Sequence, residues 1–123
     1  MSSPTQRSKA YAESLGYQVA IVERWNPWAK VRQDLYGFID LLCLKEGCCL
    51  IAIQATSTGN MNSRIAKIKT LPASWKWITS GNRLEVWGWA LRGKKGQRKK
   101  YELKRQILTG LDLKHLADEQ ECV

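Results

Sequence analysis

Two apolar runs joined by a short turn dominate the middle of this sequence. They are Phe38-Ile39-Asp40-Leu41-Leu42-Cys43-Leu44 and Leu50-Ile51-Ala52-Ile53-Gln54-Ala55-Thr56, linked through Lys45-Glu46-Gly47. A link this short makes them antiparallel neighbours, and their lack of clean alternation marks strands covered on both faces in mid-sheet. Each run also carries polar residues where apolar ones would pack better: Asp40 in the first, Gln54 and Thr56 in the second. An unpartnered buried polar group costs roughly 1–3 kcal/mol, so something must satisfy these groups, and a metal ion and a phosphate would do so. Side chains alternate along a strand, which puts Gln54 and Thr56 on one face. In the right register Asp40 lies opposite them, roughly 4.5–5.5 Å away between Cβ atoms. One divalent ion can bridge that span, held by the Asp40 carboxylate, the Gln54 side-chain carbonyl and the Ala55 backbone carbonyl. Such an ion activates water toward a phosphodiester and neutralises developing charge.

The flanking segments complete a single α/β domain over 6–118, with 1–5 as a flexible start and 119–123 as a tail. A helix is expected over 6–15, introduced by Ser3-Pro4-Thr5 and stopped by Gly16. Alternating, Val- and Ile-rich residues predict a strand over 17–25, broken at Asn26-Pro27, with 29–36 as a connection carrying Lys30, Arg32 and Asp34. After the central strands, a helix opens at Asn62 or Ser63 and ends at Leu71-Pro72. The spacing of Trp75 and Trp77 suggests a short strand over 75–78. Residues 83–91 alternate as a strand, 93–96 form a basic hairpin, 99–107 return as its partner, and 112–119 form a last helical turn or two. The order α-β-β-β-α-β-β describes a mixed central sheet flanked by helices.

Charge narrows the partners. The 123 residues carry a net charge of +9, which favours a polyanion, nucleic acid first and an anionic membrane surface second. Arg92, Lys94, Lys95, Arg98, Lys99 and Lys100 cluster around the hairpin, with Lys104 and Arg105 beyond and only Glu102 to offset them. Phosphate contact is the functional reading of that cluster; a solubilising hairpin is the plainer one. The cysteines, Cys43, Cys48, Cys49 and Cys122, form no CxxC pair, and the lone His115 is far away, which speaks against zinc. Cys43 and either Cys48 or Cys49 read as buried small hydrophobes. Without a signal peptide or membrane-length apolar span, the expectation is a reducing, cytoplasmic setting.

At this point the residues resemble a family. Gly37-Phe38-Ile39-Asp40, a turn, then Ile53-Gln54-Ala55-Thr56 is similar to the core of the PD-(D/E)xK nuclease superfamily, which includes many restriction endonucleases, Holliday-junction resolvases and phage recombination nucleases. The helix and strand ahead and the helix behind fit its helix-strand-strand-strand-helix-strand core over 6–91. Trp25-Asn26-Pro27 through Asp34-Leu35-Tyr36-Gly37-Phe38-Ile39-Asp40 resembles small phage-type members. The resemblance implies a restriction-endonuclease-like fold and Mg²⁺-dependent hydrolysis of duplex or branched DNA, with Mn²⁺ as a substitute. It makes Asp40 a metal ligand and puts Gln54 where an acid is usual, a replacement some members tolerate. Thr56 stands where the family has Lys. Lys67 and Arg64 on the following helix, with Lys69 behind them, are candidates for the displaced base. Glu13, Glu23 and Asp34 are the choices for an upstream acid, with Glu23 and Asp34 favoured by their strand and pre-strand positions. A homodimer would supply two sites for two strands.

Plainer roles stand beside these. Asp40 could accept backbone hydrogen bonds at a strand start, Gln54 could serve a structural network, and Thr56 could be an ordinary strand residue. Glu23 and Asp34 suit surface ion pairs, and Lys67 a solvated helix face. Trp87 and Trp89 could stack on bases, but Trp at strand spacing more often packs a core or a subunit interface. Three functions therefore remain: a metal-dependent DNA endonuclease, a catalytically impaired nucleic-acid-binding module on the same fold, and a protein-interaction domain using its Trp-rich strand.

Overall fold

The computed structural model describes residues 3–119; the expected tail beyond Glu119, Cys122 and the first two residues lie outside them. Helix α1 (Pro4–Ser14) starts two residues earlier than expected. Ser3 Oγ accepts from Gln6 N–H, and Gln6 Oε1 accepts from Ser3 N–H, a reciprocal cap with Pro4 in the first turn. The strand expected over 17–25 is two strands, β1 (Gln18–Ile21) and β2 (Arg24–Asn26). The connection expected over 29–36 contains β3 (Val31–Gln33), which pairs with β2 as a separate two-stranded hairpin. The central strands are β4 (Leu41–Leu44) and β5 (Ile51–Ser57), antiparallel with Leu41 opposite Ile53. Phe38 and Ile39 precede β4 in a tight turn yet are fully buried.

After a 3-10 turn (Thr58–Asn60) come α2 (Met61–Ile68) and α3 (Pro72–Thr79). The expected strand over 75–78 is therefore helix. Pro72 ends α2's path but sits in the first turn of α3, where its missing N–H costs nothing. Leu71, Ser74, Trp75 and Ile78 recur at helical spacing, a stripe that the two Trp at spacing two obscure. β6 (Arg83–Arg92) and β7 (Lys100–Leu108) follow, then α4 (Gly110–Leu113) and a 3-10 turn (Lys114–Glu119). The sheet order is β1-β4-β5-β6-β7, antiparallel throughout except for the parallel β5–β6 pair. The α2–α3 crossover makes that parallel pair possible.

Helices cover both faces. On one, Ala12 of α1 packs with Leu41, Cys43, Ile51, Ile53 and Trp87. Trp89 Nε1 donates to the buried Ser8 Oγ, and Tyr11 meets Trp87 and Trp89 edge-on. Trp87 and Trp89 are thus core and open to neither bases nor a partner subunit. Burial and the charge of Glu85 push the Cys43 thiol up to about 11, which leaves it inert. Cys48 and Cys49 are both exposed, because β5 begins at Ile51 and both fall in the turn before it. On the other face, Ile65 and Ile68 of α2 pack over Ala52, Leu84 and Val86. Among the described residues no helix is long and apolar enough to cross a membrane.

Gly88 sets how closely α2 approaches the sheet. A Cβ there would lie 2.3 Å from Met61 Sδ and 3.0 Å from Thr58 Cα. Gly88→Ala is expected to destabilise the fold by about 1–3 kcal/mol, the usual cost of overpacking. A shift in urea midpoint measures it, and an unchanged midpoint would show that α2 moves freely.

Candidate active site

Three chain ends converge at one end of the sheet. The β1–β4 ladder runs one pair past β1, with Val22 N–H donating to Asp40 C=O at 2.9 Å. This sets Glu23 beside Asp40. The turn before β4 doubles back, with Tyr36 and Gly37 both left-handed (φ 56° and 86°) and Gly37 N–H bonded to Asp34 C=O. Leu35 bridges Ile39 across it, and Asp34 comes to rest next to Asp40. The carboxylates of Glu23, Asp34 and Asp40 lie within 4.8 Å of one another.

Gln54 and Asp40 share a face of the sheet, as period-two alternation requires. Gln54 Nε2 donates to Asp40 Oδ2 at 2.7 Å and to Asp34 Oδ2 at 3.3 Å, so its amide holds the two acids together. Ala55 N–H also donates to Asp40 Oδ2, at 2.8 Å. The expected metal ligand is the Ala55 carbonyl; the Ala55 group that bonds Asp40 is its N–H, and Ala55 lines the cleft. Burial is the main force holding the Asp40 carboxyl up at about 8. The hydrogen bond shared with Asp34 and that residue's charge add to it, Glu23 adds a smaller push, and Ala55 N–H pulls the other way.

These residues floor a cleft of about 470 Å³, lined also by Arg32, Gln33, Gly37, Arg64 and Lys67. Arg64 and Lys67 project from α2, and Arg32 Nη1 pairs with Glu23 Oε1 at 2.9 Å. The cleft therefore sets an acid cluster against cationic walls, which suits an anion held beside a bound cation. Arg32 and Gln33 drew no role from the sequence, because only the hairpin brings them here. Thr56 is buried on the face of Gln54 but does not line the cleft. Glu13 is on α1, across the sheet, paired with Lys9, and Lys69 also lies outside the cleft.

The basic residues of the β6–β7 loop form a second region. Arg92, Lys94, Lys95, Arg98, Lys99 and Lys100 are all exposed and none lines the acidic cleft. Strand β5 pairs with β6 only as far as Trp89, so the loop extends beyond the C-terminal end of β5, where the cleft opens. A shallow hollow of about 520 Å³ lies against Arg92, Lys94 and Lys99.

The chemistry of the donor set fits a hard divalent ion: three carboxylates and an amide that can rotate to present its oxygen. The folded protein keeps the Asp40 proton up to about pH 8, whereas an unfolded Asp releases it near 3.8. The folded state thus binds more protons in that window, and the stabilisation from this group, complete below about pH 4, is lost as pH rises through 8. A cation would take the proton's place. Millimolar Mn²⁺ is expected to raise Tm more at pH 8 than at pH 6. At one hundred times Kd the gain is about 2.7 kcal/mol, on the order of 10 °C. Scanning fluorimetry with and without EDTA checks it, and equal shifts at both pH values would contradict it. Comparison of the chain with protein families, curated proteins and solved structures gives no match in any of the three.

Proposed function

We propose that the protein is a metal-dependent endonuclease hydrolysing DNA phosphodiester bonds on a restriction-endonuclease-like core. The observation that carries this reading is the convergence of Glu23, Asp34, Asp40 and Gln54 opposite Arg64 and Lys67 in one cleft. The order of elements supports it too: a helix, an antiparallel run through β1, β4 and β5, then a helical crossover to parallel β6. Glu23, Asp34, Asp40 and Gln54 would hold Mg²⁺ or Mn²⁺. A divalent ion supplies a water of lowered pKa and neutralises charge on the phosphoryl oxygens.

The chain's own residues do the rest. With such an ion held, Asp40 would give its proton to solvent and the Gln54 amide would present its oxygen instead of its N–H. Arg64 and Lys67 bind the phosphate and hold it over the acids, with Lys67 in the part that Thr56 cannot play. Arg32 orients Glu23. The exposed loop cations hold the backbone further along, with an affinity that falls steeply with salt. Labelled duplex, branched and single-stranded DNA incubated with Mg²⁺, Mn²⁺ or EDTA tests the proposal. Metal-dependent cutting that co-purifies with the protein supports it.

A binding module without catalysis is the second reading. It is favoured by the Gln54 amide, which already ties Asp34 and Asp40 together as a cation would. Salt-sensitive DNA binding with no cutting of any substrate under either metal would establish that reading and end the first.

A further inference from the structure

The β2–β3 hairpin carries side chains that the cleft chemistry does not use. Trp28 at its tip is 94% exposed and Trp25 is 59% exposed. Asn26 Oδ1 accepts from Trp28 N–H at 3.0 Å and from Ala29 N–H at 3.1 Å, which ties the turn. Lys30 closes it in the left-handed region at φ 54°, unusual for a residue with a Cβ. The backbone of the turn is therefore fixed, and the Trp28 indole stands in water from it.

Position and charge say what covers it. Glu23 precedes β2 and Asp34 follows β3, so both arms of the hairpin end in the acidic cleft. A hollow of about 420 Å³ between Arg24, Trp25, Asn26, Pro27, Trp28 and Gln33 adjoins that cleft through Gln33, which lines both. From 24 to 33 the chain has no acid; Arg32 pairs with Glu23, and Arg24 and Lys30 are the remaining cations of the segment. Exposed aromatics interleaved with cations match a single strand, whose bases stack and whose phosphates pair with the charges. The tip lies roughly 10–15 Å from the acids by strand rise, a span of a few nucleotides along a single strand.

We infer that this hairpin is a stacking platform for unpaired bases and directs the cleft to DNA with a single-stranded segment a few nucleotides from the reacting phosphate. The inference rests on the nuclease reading above and names its substrate class. Fluorescence anisotropy in EDTA, at fixed salt, with single-stranded, forked and blunt duplex oligonucleotides of equal length tests it without requiring cleavage. Wild type should prefer the forked and single-stranded forms. Trp28→Ala should weaken those two by about tenfold and bring the fork-to-duplex affinity ratio toward one, with Trp28→Phe recovering most of the loss. Circular dichroism confirms that the variants fold. An unchanged ratio in Trp28→Ala, in a wild type that binds or cuts duplex, overturns this inference and leaves the nuclease reading standing. So does a wild-type dimer that Trp28→Ala converts to monomer, since a second copy would then cover the indole. A wild type that binds and cuts no form of DNA overturns both.

Discussion

Asp40→Asn is expected to abolish metal-dependent cleavage, by on the order of 10³-fold or more, while the protein remains fully folded. The activity loss is the scale of removing an electrostatic group worth about 4 kcal/mol in the transition state. The retained fold follows from the site. The carboxyl is held up at about 8, so near pH 7 the native group is largely neutral. Asparagine copies that neutral form. Its oxygen still accepts from Gln54 Nε2 and Ala55 N–H, and its amide can still donate toward Asp34. At pH 8 the metal-free variant should melt at or above the wild-type temperature, because a repelled charge has gone. Single-turnover cleavage assays and melting curves read the two halves separately. Wild-type cleavage by Asp40→Asn would remove the acid cluster from the mechanism. Loss of activity together with a collapsed fold would show that Asp40 serves structure first.

Glu85→Ala should destabilise the fold strongly, by about 3–5 kcal/mol, with no direct effect on the cleft. Glu85 is fully buried on the α1 side of the sheet. Its Oε1 accepts from Arg105 Nε at 3.0 Å and from Trp87 Nε1 at 3.1 Å, with Arg105 Nη2 2.9 Å away. Arg83 Nε lies 3.2 Å from Oε2 but off the hydrogen-bonding axis, so that oxygen has a charge beside it and no donor. Removing the acid leaves two guanidinium groups at a dry boundary and an indole N–H with nothing to accept it, the situation in which breaking a buried pair is costly. Arg83 and Arg105 are each about 40% exposed and can turn partly to water, which points to the lower half of the range. Glu85→Gln, keeping shape and one acceptor, should lose less. Urea midpoints measure both, and a loss under 1 kcal/mol for Glu85→Ala would show that the arginines gain as much from solvent as from Glu85.

The parts of the site that were legible in the sequence follow from alternation. Gln54 and Thr56 had to share a face, and a short turn had to make β4 and β5 antiparallel, so Asp40 could meet Gln54. Strand and pre-strand positions leading to Asp40 favour Glu23 and Asp34 over Glu13, and both line the cleft. The errors have equally local causes. Trp75 and Trp77 imitate a period of two inside a helix that Pro72 opens. The β2–β3 hairpin turns through Lys30 at positive φ without a glycine to announce it. Trp87 and Trp89 could have faced bases or core until α1 covered them.

Composition and periodicity alone determined the α/β class, the antiparallel central pair and the shared face of Gln54 and Thr56, because each depends on side-chain alternation and short-range turn chemistry. Only the tertiary structure decided that Asp40 faces Gln54, that three carboxylates from separate segments meet within 4.8 Å, that the amide of Gln54 ties two of them, and that Trp28 stands in water at the tip of the hairpin whose arms end there. Those are long-range outcomes: they depend on how backbone turns and sheet register sum in space, and no local pattern of residues encodes that sum.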